Sequence, residues 1–181
     1  MDKDTFDLIS DEKVKGKIVR DILVSKLSEY PTDSDISTAN SLITYSKNMM
    51  LNTSEIEALG REEGLPLLEI YTEYKNYLKK NGLMDYDDQM TYAYVMLAKT
   101  PELLAYYRNL YKYILVDEAQ DTSKIQHLII GLLAGKDGNL FMVGDEDQSI
   151  YGFRAAYPEA LLNFEKDHPS ARVLVMNQNY R

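Results

Sequence analysis

The sequence predicts an α/β protein in which a partial parallel sheet is preceded by an all-helical subdomain. Two apolar runs, Tyr113–Val116 and Leu140–Val143, each stop at carboxylates, and a helix-length amphipathic stretch separates them. Upstream of these runs, apolar side chains repeat at helical rather than strand spacing. We therefore expect a helical subdomain over residues 1–84 and a sheet-containing domain over residues 85–181.

The helical subdomain is expected to contain four helices that share apolar side chains at three- and four-residue spacing. They are Glu12–Tyr30, Ser37–Met50, a short helix that Ser54–Glu57 opens as a capping box and Gly64 ends, and a helix from Pro66 to Lys80. Pro31–Asp35 is interpreted as a turn-rich linker. This half of the chain holds no catalytic constellation.

Asp85–Asp88 places three aspartates in four residues. A helix N-cap with first-turn carboxylates is favoured over a metal site, because no calcium-loop spacing follows. The helix is expected to reach Lys99, and a further helix runs from Thr100 to Leu110.

The second half alternates strands and helices, which predicts parallel pairing with right-handed crossovers. The expected order is a strand at Tyr113–Val116, a helix at Thr122–Ala134, a strand at Leu140–Val143, a helix with Pro158 in its first turn, and a strand at Arg172–Met176. His127 is expected on the surface of its helix and not as a ligand.

Asp117 and Glu118 follow the first of these strands, where parallel sheets bind ligands. Such a pair has the form needed to hold Mg²⁺ beside a nucleotide and to orient an attacking water. The simpler alternative is that both carboxylates merely end a strand.

Composition excludes several classes of function. The net charge of −9 argues against a basic slab that grips nucleic acid by charge alone. The absence of Cys rules out disulfides and thiolate zinc sites, and two His make a His-based metal site improbable. No apolar stretch has the length of a membrane span or forms a signal peptide, so we expect a cytoplasmic protein.

Four segments resemble motifs of the UvrD/Rep/PcrA-type superfamily 1 DNA helicases. Asp117–Asp121 resembles their Walker B motif, and Gly144–Arg154 resembles the next motif, which joins the ATP site to the DNA track. Asn179–Arg181 resembles the start of the motif after that, and Asp85–Asp88 resembles an upstream signature. The eleven-residue run from Gly144, at this distance from Asp117, is the most specific of these signals.

The resemblance implies a P-loop NTPase (RecA-like) first motor domain with an inserted helical subdomain. It implies a parent enzyme that couples ATP hydrolysis, with Mg²⁺, to 3′-to-5′ translocation on single-stranded DNA in repair or replication. Single-stranded DNA and single-strand/duplex junctions are the partners that it implies.

The same resemblance suggests roles at the nucleotide. Asp117 and Glu118 are expected at the Mg²⁺ ion, with Glu118 as the catalytic carboxylate. Gln148 is expected to sense the γ-phosphate, and Arg181 to stabilise its charge in the transition state. Gln120 is expected to connect the Walker B motif to neighbouring loops.

Three residues are candidates for DNA binding. Tyr151 and Phe153 are expected to stack on successive bases, although packing as core aromatics remains open for both. Arg154 is expected to contact phosphate or to pair with an acidic neighbour. For Lys47, the pattern favours a solvated side chain over a contact to a DNA phosphate.

One departure from the family pattern is large. No G-x-x-x-x-G-K-[ST] loop precedes Asp117 in this sequence. We therefore expect an internal fragment of a larger helicase, inactive by itself and completed by the remainder of its parent. The alternative is a non-catalytic DNA- or protein-binding module derived from a helicase; a nuclease-fused relative is a more distant one.

Overall fold

The computed structural model describes residues 6–27, 30–136, 138–145, 156–157 and 163–176. The helices and strands in those ranges are β1 (Asp7–Leu8), α1 (Glu12–Lys26), α2 (Asp33–Asn48), α3 (Thr53–Glu63), α4 (Leu67–Lys80), β2 (Leu83–Met84), α5 (Tyr86–Lys99), α6 (Pro101–Leu110), β3 (Tyr113–Val116), α7 (Lys124–Ala134), β4 (Asn139–Met142) and α8 (Phe164–Asp167). A 3-10 turn at Ala119–Asp121 lies between β3 and α7.

The core of the first half forms where α1, α2 and α4 pack together. α1 and α4 contribute the apolar stripes that their sequences predict, and α3 packs against α4. The buried core residues are Ile9, Ile18, Val19, Ile22, Leu23, Ile36, Ala39, Ile43, Ile70, Tyr74 and Leu78. Helical periodicity therefore located the contributions of α1 and α4, whereas on α2 it predicted Leu42, Ile43, Met49 and Met50, of which only Ile43 lies in this core.

The first half is not entirely helical, which corrects the sequence prediction. β1 pairs in parallel with β2, with Asp7 opposite Leu83 and Leu8 opposite Met84. The ladder continues through Ile9, whose N–H donates to Met84 O at 2.8 Å. Two-residue strands are too short to show an alternating pattern, so only the tertiary pairing reveals them.

Several helix boundaries in the first half differ from the prediction. Thr32 caps α2 in a reciprocal box with Asp35, so the expected linker forms the cap and first turn of the helix. Asn52, and not Ser54, caps α3, together with Glu55. α1 ends at Lys26, short of the predicted Tyr30.

β3 and β4 form a two-stranded parallel sheet, joined by α7 as the crossover helix. The register runs from Tyr113 opposite Asn139 to Val116 opposite Met142. This arrangement confirms the predicted strand–helix–strand unit, with the second strand starting one residue earlier. α7 begins at Lys124, after the N-cap residue Ser123, whose N–H donates to Gln126 Oε1 at 2.7 Å.

The third predicted strand, Arg172–Met176, has no strand structure and no ladder partner among the described residues. Val173, Leu174, Val175 and Met176 are 52%, 68%, 83% and 86% exposed. The apolar run has strand propensity, but a strand forms only when another strand pairs with it. The predicted helix before it is described only at α8; the residues around Pro158 lie outside the described ranges.

α5 packs against both α2 and α7, so it joins the helical half to the sheet. Asp85, at its N-cap, is 3% exposed and lies against the helical half. The domain boundary between residues 84 and 85 remains a prediction. Within the described ranges, none of the helices combines the length and apolar character needed to cross a bilayer.

Candidate functional site

Asp117 and Glu118 follow directly after β3, and both side chains are exposed. The ladder extends one bond beyond the strand, since Val143 N–H donates to Val116 O at 2.8 Å. Asp117 Oδ1 accepts a hydrogen bond from Glu118 N–H at 2.9 Å. The two carboxylates therefore lie at the carboxyl end of a parallel strand, within reach of solvent, where α/β sheets bind ligands.

Glu118 has a left-handed backbone, with φ 48° and ψ 45°. A residue with a Cβ adopts this conformation at a cost of about 1–2 kcal/mol. The 3-10 turn holds it there, because Asp121 N–H donates to Glu118 O at 2.9 Å. Strain of this kind concentrates at functional sites, where it fixes the direction of a side chain.

Gln120 connects Glu118 to the loop that follows β4. Its Nε2 donates to Glu118 Oε2 at 2.7 Å, and its Oε1 accepts from Asp145 N–H at 3.1 Å. The residue is only 2% exposed. These contacts confirm the predicted role of Gln120 as a connection between the loop after β3 and its neighbour.

The two loops approach so closely that Gly144 has no room for a side chain. A Cβ at this position would lie 2.8 Å from Gln120 Oε1 and 3.2 Å from Ala119 N. Ala119 N–H also donates to Val143 O at 2.9 Å. The loops after β3 and β4 therefore form one hydrogen-bonded unit around the Glu118 carboxylate.

His127 is half-buried against the same unit, which corrects the prediction of a simple surface histidine. Thr122 Oγ1 donates its only hydrogen to Ala119 O at 2.6 Å, so His127 Nε2–H is the donor to Thr122 Oγ1, also at 2.6 Å. Burial lowers the pKa of His127, and a contact with the backbone of Ala119 offsets part of that shift. The imidazole also meets the Tyr157 ring edge-on, 6.2 Å between centroids.

Five predicted site residues lie outside the described ranges: Gln148, Tyr151, Phe153, Arg154 and Arg181. Their roles remain predictions. Described residues on each side of positions 146–155 contact the loop after β3. Asp145 does so through Gln120, and Tyr157 through its N–H, which donates to Thr122 O at 2.9 Å. Ala156 also bridges to Ser123.

The donor set at Asp117 and Glu118 suits Mg²⁺. The ion takes one or two protein carboxylates and completes its shell with waters and phosphate oxygens. Asp117 Oδ2 and Glu118 Oε1 are outside the hydrogen bonds described above. In the part of the chain that the structure describes, no group of three or more His, Cys, Asp or Glu is placed to form an all-protein cage.

A family model described as the UvrD/REP helicase N-terminal domain matches residues 3–169. The chain belongs to this family. "ATP-dependent DNA helicase PcrA" from Leuconostoc citreum is 39% identical over 148 residues, which are 81% of this chain and 20% of that protein. The proteins of the same name from Staphylococcus aureus strain Mu50 and Staphylococcus epidermidis are 46% and 45% identical over 112 residues, 62% of this chain and 15% of each relative. The chain thus spans a fifth or less of the length of these relatives.

This UvrD/REP-type domain also contains a buried ionic cluster that the sequence did not reveal. Lys47 Nζ lies 2.8 Å from Asp85 Oδ2 and 2.8 Å from Asp88 Oδ1, and its side chain is 2% exposed. Tyr74 OH donates to Asp85 Oδ2 at 3.0 Å. The prediction of a solvated Lys47 is therefore wrong, because α5 covers the polar side of α2 with carboxylates.

Asp87, the remaining aspartate of the Asp85–Asp88 segment, contacts side chains on α1 and α2. Asp87 lies 3.6 Å from Lys15 Nζ, and it accepts from Thr44 Oγ1 at 2.9 Å and from Asn48 Nδ2 at 2.7 Å. Asp85 caps α5 by accepting from Asp88 N–H at 2.8 Å, which confirms the capping interpretation. The aspartates therefore fasten α5 onto α1 and α2.

Lys47 and Asp85 stabilise each other's charged form, whereas burial raises the pKa of Asp88 despite the nearby ammonium of Lys47. Burial alone would lower the pKa of Lys47, but the charges of Asp85 and Asp88 outweigh it and raise that pKa above its usual value. Burial would raise the pKa of Asp85, but the ammonium of Lys47 and its hydrogen bond lower it overall. The pair therefore stays ionised in the interior.

Proposed function

We propose that this chain is part of the first motor domain of an ATP-dependent DNA helicase that couples ATP hydrolysis to 3′-to-5′ movement on single-stranded DNA. The observation that carries the proposal is the placement of Glu118. Its carboxylate lies at the carboxyl end of β3, on a left-handed backbone, and is hydrogen-bonded to Gln120. An exposed acid held so firmly is suited to orient a water molecule and take its proton.

At the nucleotide, Asp117 and Glu118 are the residues that would hold Mg²⁺ on the ATP phosphates. Bound there, the ion would neutralise charge on the phosphate oxygens. Glu118 orients the attacking water, and Gln148 contacts that water and the γ-phosphate. Arg181 stabilises the negative charge that develops on the γ-phosphate.

On the DNA side, Tyr151 and Phe153 stack on successive bases and Arg154 contacts a phosphate. Each stacked base would contribute about 1–3 kcal/mol. A net charge of −9 suits local stacking better than a broad electrostatic grip. Single-stranded DNA and its junctions with duplex are the proposed partners, and the proposed location is the cytoplasm.

The 181-residue chain by itself is proposed to be inactive. Its sequence contains no G-x-x-x-x-G-K-[ST] loop to cradle the β- and γ-phosphates. Asp117 and Glu118 would hold the Mg²⁺ ion and orient the attacking water, but they do not bind the phosphates directly. The remainder of the parent helicase supplies the phosphate loop and the second motor domain.

Strand displacement by the full-length gene product tests the proposal. Duplexes with a 3′ or a 5′ single-stranded tail are incubated with ATP and Mg²⁺, and displacement is followed by fluorescence. The proposal expects displacement from the 3′-tailed duplex, and its loss in Glu118→Gln, which keeps the shape of the side chain and removes its charge. Displacement from the 5′-tailed duplex alone would overturn the direction, and a fully active Glu118→Gln protein would overturn the role of Glu118.

A further inference from the structure

Gln120 occupies a position between two groups of opposite hydrogen-bonding character. Glu118 Oε2 is an acceptor, 2.7 Å from Gln120 Nε2. Asp145 N–H is a donor, 3.1 Å from Gln120 Oε1. A side-chain amide offers a donor and an acceptor on one rigid plane, and a glutamine has the length to reach both groups.

The surroundings of Gln120 restrict its movement. The residue is 2% exposed, so little space is available for another rotamer. Its Oε1 lies 2.8 Å from the point where a Cβ would stand on Gly144, so the loop after β4 rests directly on the amide. The backbone of Glu118 is itself fixed by the 3-10 turn.

We propose that Gln120 is a positioning residue that transmits the conformation of the loop after β4 to the carboxylate of Glu118. The proposal rests on the proposed function, in which Glu118 orients the attacking water. The loop after β4 leads from Asp145 to Gln148, three residues further on. A displacement of Asp145 pulls on Gln120 Oε1, and the rigid amide passes that displacement to Glu118 Oε2. Water activation then depends on the conformation of that loop.

The coupling itself is testable without catalysis, by NMR of the 181-residue chain at a concentration where light scattering shows a monomer. In the otherwise unchanged chain, Glu118→Ala removes the acceptor of Gln120 Nε2, so the backbone amide resonance of Asp145 should shift. In a Gln120→Met background the same Glu118→Ala change should leave that resonance unmoved. An equal shift in both backgrounds would show that the two loops communicate by another route, and the proposal would fail.

The kinetic consequence is testable in the full-length gene product by DNA-stimulated ATP hydrolysis. Gln120→Met, nearly isosteric and without hydrogen bonds, and Gln120→Glu, which places a second negative charge against Glu118, should each lower kcat. A misplaced water-orienting group lowers the rate on the order of 100-fold, while KM for ATP should stay unchanged.

Gln126→Met is the matched control. Gln126 also uses its amide oxygen to hold a backbone N–H, that of Ser123 at 2.7 Å, but it does not contact Glu118. It should keep the wild-type kcat. Unchanged kcat in Gln120→Met, or a loss equalled by Gln126→Met, would contradict the positioning role.

The two experiments separate this proposal from the proposed function. A wild-type protein that hydrolyses no ATP would overturn the proposed function, and the NMR comparison would still decide whether Gln120 couples the loops. An active wild type with normal kcat in Gln120→Met would leave the proposed function standing and remove the role of Gln120.

Discussion

At the scale of single residues, hydrogen bonds and ion pairs fix the positions of charged side chains. Glu118 is exposed but fixed by its turn and by Gln120, whereas Lys47 is fully enclosed by its partners. The first arrangement leaves a carboxylate available to a ligand. The second uses a buried cation to hold three helices in place.

Lys47→Ala should destabilise the protein strongly. The replacement leaves the buried Asp85 and the partly buried Asp88 without their cation. Breaking a buried pair costs about 3–5 kcal/mol in the free energy of unfolding. Urea unfolding followed by circular dichroism measures the loss. Lys79→Ala, at an exposed position near the end of α4, is the control and should change little. Equal midpoints for the two variants would contradict the structural role of Lys47.

His127 should make stability depend on pH near neutrality. Burial lowers its pKa in the folded state, so as pH falls below about 6.5 the unfolded chain takes up a proton before the folded chain does. The free energy of unfolding should therefore fall over that range, until the folded histidine also protonates. His127→Gln keeps an Nε2 donor and removes the titration, so the difference between the two pH profiles isolates the effect. Parallel profiles would show that His127 does not contribute to the pH dependence of stability.

At the scale of the elements, glycines inside helices have different reasons for being there. A Cβ on Gly60 in α3 would stand 2.7 Å from Leu65 O and 2.8 Å from Leu67 Cβ. A Cβ on Gly131 in α7 would meet nothing within 4 Å. The first glycine is required by the tight connection to α4, and the second is not required by packing.

Gly60→Ala and Gly131→Ala should consequently move stability in opposite directions. Gly131→Ala should stabilise by about 0.5–1 kcal/mol, because alanine is the better helix former. Gly60→Ala should destabilise by about 1–3 kcal/mol through overpacking, despite the same gain in propensity. Thermal unfolding of the two variants measures the direction of each change in stability. Stabilisation by Gly60→Ala would show that the α3–α4 connection is looser than described.

The elements also show which features a sequence can predict. The core stripes of α1 and α4 follow from spacing alone, and the apolar run at β3 predicted a strand with the bounds that the structure gives it. The environment of Lys47 did not follow, because Asp85 is 38 residues away and only folding brings it near. β1 escaped detection for the same reason, since its pairing with β2 joins distant segments.

The candidate site was predictable in part. Asp117 and Glu118 were expected at the end of β3 and lie there. The left-handed backbone of Glu118 and the close approach of Gly144 to Gln120 were not expected. Nothing in a local pattern specifies them, because both arise where two loops from separate strands meet.

At the scale of the whole molecule, one face of the β3–β4 sheet carries large exposed apolar side chains. Tyr113, Leu115 and Phe141 are 72%, 75% and 57% exposed. Parallel sheets are normally covered on both faces, and an uncovered strand edge invites pairing. The isolated chain therefore has an apolar surface suited to association.

We expect the isolated chain to self-associate through this face and the adjoining strand edges. Leu115→Lys and Phe141→Lys should lower the apparent mass at high concentration, which light scattering measures. Val14→Lys replaces a single exposed apolar residue on α1, 46% exposed, and should leave the association unchanged. A clean wild-type monomer at high concentration would contradict an open sheet face.

The most direct test of the whole account is ATP hydrolysis by the full-length gene product, measured with and without single-stranded DNA. We expect hydrolysis that DNA stimulates, that Glu118→Gln abolishes, and that the 181-residue chain alone does not show. The expectation follows from Glu118 as the water-orienting carboxylate and from the missing phosphate loop. DNA-stimulated hydrolysis that persists in Glu118→Gln, or a full-length protein that binds DNA and hydrolyses nothing, would contradict the account; the second result would favour a non-catalytic binding module.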